Sequence, residues 1–134
     1  MKAILFVVVL LAFGFNRSVQ PQATPDEDFC VSYKKSDAQL NKLYQRILVE
    51  YRNDKLFITK FRAAQRKWLA FSDAQIESHY PDPSPAAYGS INKMCRCQEM
   101  NELLKTRIKQ LKQWTDGVQE GDVCAGSFKI KESK

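Results

Sequence analysis

Phe57 to Ile76 reads FITKFRAAQRKWLAFSDAQI. Phe57, Phe61, Ala64, Trp68 and Phe71 recur at intervals of four, three, four and three residues, the spacing that lines side chains along one face of an α-helix. No Gly or Pro interrupts the stretch, and Ala, Gln, Arg, Lys and Leu fill it with good helix formers. Each large apolar side chain on that stripe gains about 1.5–3 kcal/mol when fully buried. One helix cannot bury its own stripe, so the rest of the chain must supply partner faces.

Working outward toward the N-terminus, Ser36-Asp37-Ala38-Gln39 matches a capping box and predicts the start of a preceding helix. Its apolar stripe is Leu40, Leu43, Tyr44, Ile47, Leu48 and Tyr51. Arg52-Asn53-Asp54 then makes a short turn, with Asn53 or Asp54 capping the central helix. So short a connection predicts an antiparallel hairpin. Pro21 to Asp28 is polar, carries two prolines and reads as a flexible lead-in.

Toward the C-terminus, Pro81-Asp82-Pro83-Ser84-Pro85 ends the central helix near Tyr80. A loop from Pro81 to about Asn92 follows, with turn residues at Tyr88-Gly89-Ser90. A third helix runs from about Lys93 to Trp114, with Met100, Leu104, Ile108 and Leu111 on one face and Lys105, Arg107, Lys109 and Lys112 outside it. Gly117 and Gly121 break the pattern, and Cys124 lies in a tail without periodicity. The fold class predicted is all-α: a small antiparallel three-helix bundle with a disulfide-tied C-terminal tail, forming a single domain over 24–134.

Residues 1–23 read as a signal peptide, cut somewhere from 18 to 23. Lys2 opens it, Ala3 to Phe13 are apolar, and polar residues begin at Asn16. The apolar run is too short for a bilayer-spanning helix, so no integral membrane span is expected after cleavage. The predicted location is secreted or periplasmic. In such an oxidising compartment Cys30, Cys95, Cys97 and Cys124 form an even set, available for two disulfides. Zinc is disfavoured: one residue separates Cys95 from Cys97, and His79 is the lone histidine. Cys30 and the Cys95/Cys97 pair are expected at one end of the bundle, with one of that pair bonded to Cys30. The other is expected to bond Cys124, through a tail returning along the third helix; the sequence does not say which takes which.

The 134-residue chain carries +6, and removal of 1–23 takes Lys2 and Arg17 but no acid, leaving +4. These charges are spread along helices and read first as solvated faces. No nucleic-acid motif accompanies them. Catalytic constellations are poor. Ser72 and His79 sit on one helix about 10 Å apart, too far for proton exchange. Asp73 and Glu77 are one turn apart on one helix face, the usual arrangement of solvated carboxylates. With no phosphate-binding Gly loop and no metal-ligand spacing, the chain is read as a non-enzyme without cofactor.

Two motifs, Asp37-x-x-Leu40-Asn41-x-x-Tyr44 and Ala64-Gln65-x-x-Trp68-x-x-Phe71-x-Asp73, resemble those of the LprI-type lysozyme inhibitor family of small bacterial secreted domains. The likeness covers about residues 30–112. Ser72 stands where that family usually has Arg, and Ile76 where it usually has Cys, so a family disulfide from the central helix has no partner here. The resemblance implies a periplasmic or secreted helical protein and, for some members, inhibition of lysozyme. The motif residues Asp37, Leu40, Asn41, Tyr44, Gln65, Trp68 and Asp73 are read as structural, with Asn41 and Gln65 expected to hydrogen-bond across the hairpin or to the Tyr44 hydroxyl. Tyr80 and Tyr88, flanking the loop, are the partner-binding candidates. The function expected is a protein-binding module for a lysozyme-like or other envelope protein; the alternative is a structural envelope protein that contacts peptidoglycan or an anionic polymer through its basic surface.

Overall fold

The computed structural model describes residues 25–84 and 86–131. The expected signal peptide lies outside the described residues. Three helices follow in order: α1, Pro25–Glu50; α2, Lys55–His79; and α3, Asn92–Asp116. Each has 25 or 26 residues, hence a length of about 38 Å.

The first helix differs from expectation at its start. It begins at Pro25, eleven residues before the predicted capping box, so the segment from residue 25 onward is not a flexible lead-in. Proline suits a helix N-terminus, where its missing N–H costs nothing. Ser36 lies in the middle of this helix and is buried. Its hydroxyl donates to Asn101 Oδ1 of α3 at 2.6 Å, so the hydroxyl expected to cap α1 instead joins two helices. Asp54 does cap α2, its carboxylate accepting from Phe57 N at 2.9 Å.

Two ties fix the direction of α3. Cys30 bonds Cys97 near the start of α1 and α3, and the Tyr51 hydroxyl donates to Trp114 O at their far ends. α1 and α3 therefore run parallel, with α2 antiparallel between the two connections. Leu40, Ile47, Phe61, Leu104, Ile108 and Leu111 form the buried core. α1 and α3 pack most closely. α2 is held further off by rings: Tyr44 stacks on Phe61 at 5.4 Å, and Tyr51 meets Phe57 at 4.5 Å between centroids. Such pairs add about 0.5–1.5 kcal/mol each beyond the area they bury.

The buried stripe of α2 also departs from the predicted one. Its buried residues are Phe61, Gln65, Ser72 and Ile76, while Phe71 is 55% exposed. Ser72 is almost fully buried because its hydroxyl donates to Leu69 O within the same helix, which removes the penalty for placing a polar group there. Ile76, where the LprI-type pattern usually has Cys, is buried and fills that place with apolar volume.

The tail overturns the second expected disulfide. Cys95 is half-buried and Cys124 exposed, and both are free thiols. The tail does not travel back along α3. It turns on itself past Gly117, so that Val118 bridges Ile130, with Val118 N donating to Lys129 O and Lys131 N to Val118 O, both at 2.8 Å. Lys129 pairs with Glu50 at the end of α1. The C-terminal segment is thus held by noncovalent bonds at the Trp114 end, while Cys95 lies about 28 Å away along α3.

Candidate functional site

The disulfide-tied end carries the α2–α3 loop. Tyr80 caps α2 through its backbone N–H to Ile76 O, and its ring meets Tyr88 edge-on at 5.5 Å. The Tyr88 hydroxyl accepts from Asp82 N at 2.9 Å, and the Asp82 carboxylate accepts from Ser84 N at 2.8 Å. Gly89, at φ 72°, lets the chain turn back into α3. From α3, the Arg96 guanidinium lies over the Tyr80 ring at 5.5 Å, and Glu99 Oε2 lies 2.7 Å from His79 Nδ1. Desolvation, followed by the charges of Cys95 and Glu99, raises the Tyr80 hydroxyl above an ordinary tyrosine pKa. The result is an exposed proline-rich loop ordered by its own side chains beside the Cys30–Cys97 bond. Tyr80 and Tyr88 are brought together here; Arg96 and Glu99 join them without having been singled out in the sequence, because helical periodicity says nothing about which loop ring a charge will meet.

The opposite half of the α2–α3 interface holds a second cluster. The buried Gln65 side chain accepts from Arg107 Nε at 3.1 Å, and the Arg107 guanidinium lies over Trp68 at 5.7 Å. Desolvation lowers the Arg107 pKa. Phe57, Lys60, Phe61, Ala64, Arg107, Trp114 and Ser127 enclose a cleft of about 240 Å³. Gln65 therefore bonds α3 and not the hairpin partner α1. Asn41 is exposed and donates to Asp37 Oδ2 on its own helix at 3.2 Å, so neither amide bonds Tyr44. Leu40 and Tyr44 belong to the core and its margin, and Trp68 packs half-buried against it. Asp73 is exposed.

Ser72 and His79 are not brought together: Ser72 bonds Leu69 O and His79 reaches Glu99. Among the described residues no group of three or more His, Cys, Asp or Glu is placed to hold a metal ion. No helix among them is long and apolar enough to cross a membrane.

A parallel-antiparallel helical trio with one disulfide and an ordered aromatic loop defines a small disulfide-tied helical domain. A family model described as lysozyme inhibitor LprI matches residues 16–111, and the chain belongs to that family. No curated protein and no solved structure matches it.

Proposed function

We propose that the protein is an exported protein-binding module that inhibits a lysozyme-like enzyme with its α2–α3 loop. Family membership carries this reading. The loop supports it physically, since a segment already ordered by the Tyr80–Tyr88 contact and the Asp82–Tyr88 bond loses little entropy on entering a cleft. Aromatic residues at the centre of a contact are also the usual source of binding energy. Long-range attraction contributes little toward a basic lysozyme, because the chain without its first 23 residues carries +4. Affinity must then come from short-range contact, and a Tyr pair with an adjoining carboxylate, Asp82, offers it.

The test is a cell-wall clearing assay with the chain lacking residues 1–23. We expect lysozyme to be inhibited, binding to change little between low and moderate salt, and the Tyr80→Ala, Tyr88→Ala double variant to lose at least tenfold in potency with its helix content intact. A specific arrangement favours a second reading as a polymer-binding envelope protein: Lys109, Lys112 and Lys131 border one cleft, outnumbering its single acid, Asp116. Absence of inhibition, together with salt-labile binding to peptidoglycan, would decide for that reading.

A further inference from the structure

The Arg107 cleft lies away from the loop, and nothing in the loop reading uses it. Its walls are apolar: Phe57, Phe61, Ala64 and Trp114, with Ser127 of the tail closing one side. Its charged residues are both cations, Lys60 and Arg107. A guanidinium has five N–H donors. Here Nε is bonded to Gln65 and Nη1 to Gln110, which leaves donors to spare. Among the described residues no carboxylate forms an ion pair with Arg107. Glu50, at this end of the bundle, is engaged by Arg46 and Lys129.

A half-buried guanidinium lying over Trp68, fixed by a buried amide and bordering an apolar hollow, is prepared for a planar anion. The hollow holds roughly one large side chain. Two turns further along α2 from Ala64, on the same flank, Phe71 stands 55% exposed and offers a second apolar contact outside the hollow. Together these features ask for more than a small acid. We propose that the cleft binds a partner polypeptide by its C-terminal residue, the apolar side chain entering the hollow lined by Phe57, Phe61, Ala64 and Trp114 and the carboxylate bonding Arg107 with Lys60 at the rim. Residues preceding that terminus run along α2 toward Phe71.

The chain contains two tryptophans, Trp68 and Trp114, one beneath Arg107 and the other in the cleft wall, so intrinsic fluorescence reports occupancy directly. The probe is N-acetyl-leucyl-leucyl-phenylalanine with a free carboxylate, titrated against its C-terminal amide and against 3-phenylpropionate. We expect a saturable fluorescence change with the free acid and at least tenfold weaker binding of the amide. Arg107→Gln and Lys60→Glu should each weaken the acid at least tenfold. Lys60 is exposed, so Lys60→Glu carries the test if Arg107→Gln does not fold. Equal binding of acid and amide, or no binding of either, overturns the site. Binding of 3-phenylpropionate as tight as that of the peptide overturns the polypeptide as occupant. Lysozyme inhibition measured on Lys60→Glu keeps the two sites apart, since that residue takes no part in the loop.

Discussion

The two ends of the bundle are closed by different physics. At one, a covalent bond joins Cys30 to Cys97 beside an ordered loop. At the other, the tail is held by rings and one ion pair: Trp114 meets Phe128 edge-on at 4.7 Å, its Nε1 donates to Ser127 Oγ at 3.0 Å, and Lys129 lies over Tyr51 at 5.6 Å while pairing with Glu50. A covalent closure limits the unfolded chain and also holds the two helix starts together within the folded state, whereas a noncovalent strap opens and closes there. The comparison teaches that the loop end should keep its shape under conditions that loosen the Arg107 cleft, one wall of which belongs to the strap.

The largest effect expected follows from breaking the covalent end. Cys30 and Cys97 are 67 residues apart, and a closed loop of that length corresponds to about 4 kcal/mol of unfolded-state entropy. The Cys30→Ser, Cys97→Ser double variant should lose about that much in denaturant unfolding. Loop protection in hydrogen exchange should fall more than protection around Trp114. Equal loss at both ends would show that the disulfide does not act locally on the loop.

The next effect belongs to the strap. Gly117 ends α3 at φ 73° and ψ 171°, a region other residues avoid, and a Cβ there would stand 2.8 Å from Lys129 O. Gly117→Ala should cost about 1–3 kcal/mol in strain, felt as loss of the Trp114–Ser127 contact in fluorescence. A melting temperature lowered with that contact intact would mean the strap can move as a unit with the alanine.

Ser36→Ala comes third. It leaves the buried Asn101 carboxamide oxygen without its donor, at about 1–2 kcal/mol. This bond lies between the two ends, so both should weaken together in hydrogen exchange; weakening at one end alone would place the bond inside that end's cooperative unit.

These sites also show what the sequence could and could not disclose. Three helices, the short α1–α2 turn, a cap at Asn53 or Asp54 and the gathering of Cys30 with the Cys95/Cys97 pair are legible, because apolar spacing, capping chemistry and chain reach are local or nearly local signals; which residue of each pair serves is not. Ser36 misled because the same residue type serves as an N-cap and as a buried cross-helix donor, and only the facing Asn101, 65 residues away, distinguishes the roles. Phe71 and Ser72 misled in a related way. The buried line of α2 passes through Gln65, Ser72 and Ile76, and polar residues that find a hydrogen bond can occupy it while a phenylalanine stays outside. Arg107 reads in the sequence as a charge off the α3 stripe, and its meeting with Gln65 and Trp68 has no sequence-local signature. The path of the tail has no sequence signal: its length permits a return to Cys95, but the backbone bonds of Val118 close it on itself first.

The smallest effect expected is a pH dependence at the noncovalent end. The Glu50 carboxyl is held below its usual value, first by the hydrogen bond from Lys129 and then by that from Arg46, with burial opposing both. A carboxyl whose folded pKa is depressed adds stability that is fully present above its unfolded value, about 4.3 for Glu, and lost as pH falls through the folded value. Glu50 is on the surface side of the strap and partly screened by water, so its share is under about 1 kcal/mol. Acidification from pH 6 toward pH 3 should therefore loosen the Trp114–Ser127 contact before the Tyr80–Tyr88 loop responds, read by tryptophan fluorescence against loop hydrogen exchange. Glu50→Gln should start from the looser state at pH 6 and respond less to acid. An unchanged acid response in Glu50→Gln would show that the strap is not closed by this ion pair, and the contrast between the two ends would then rest on the rings of Trp114 and Phe128 alone.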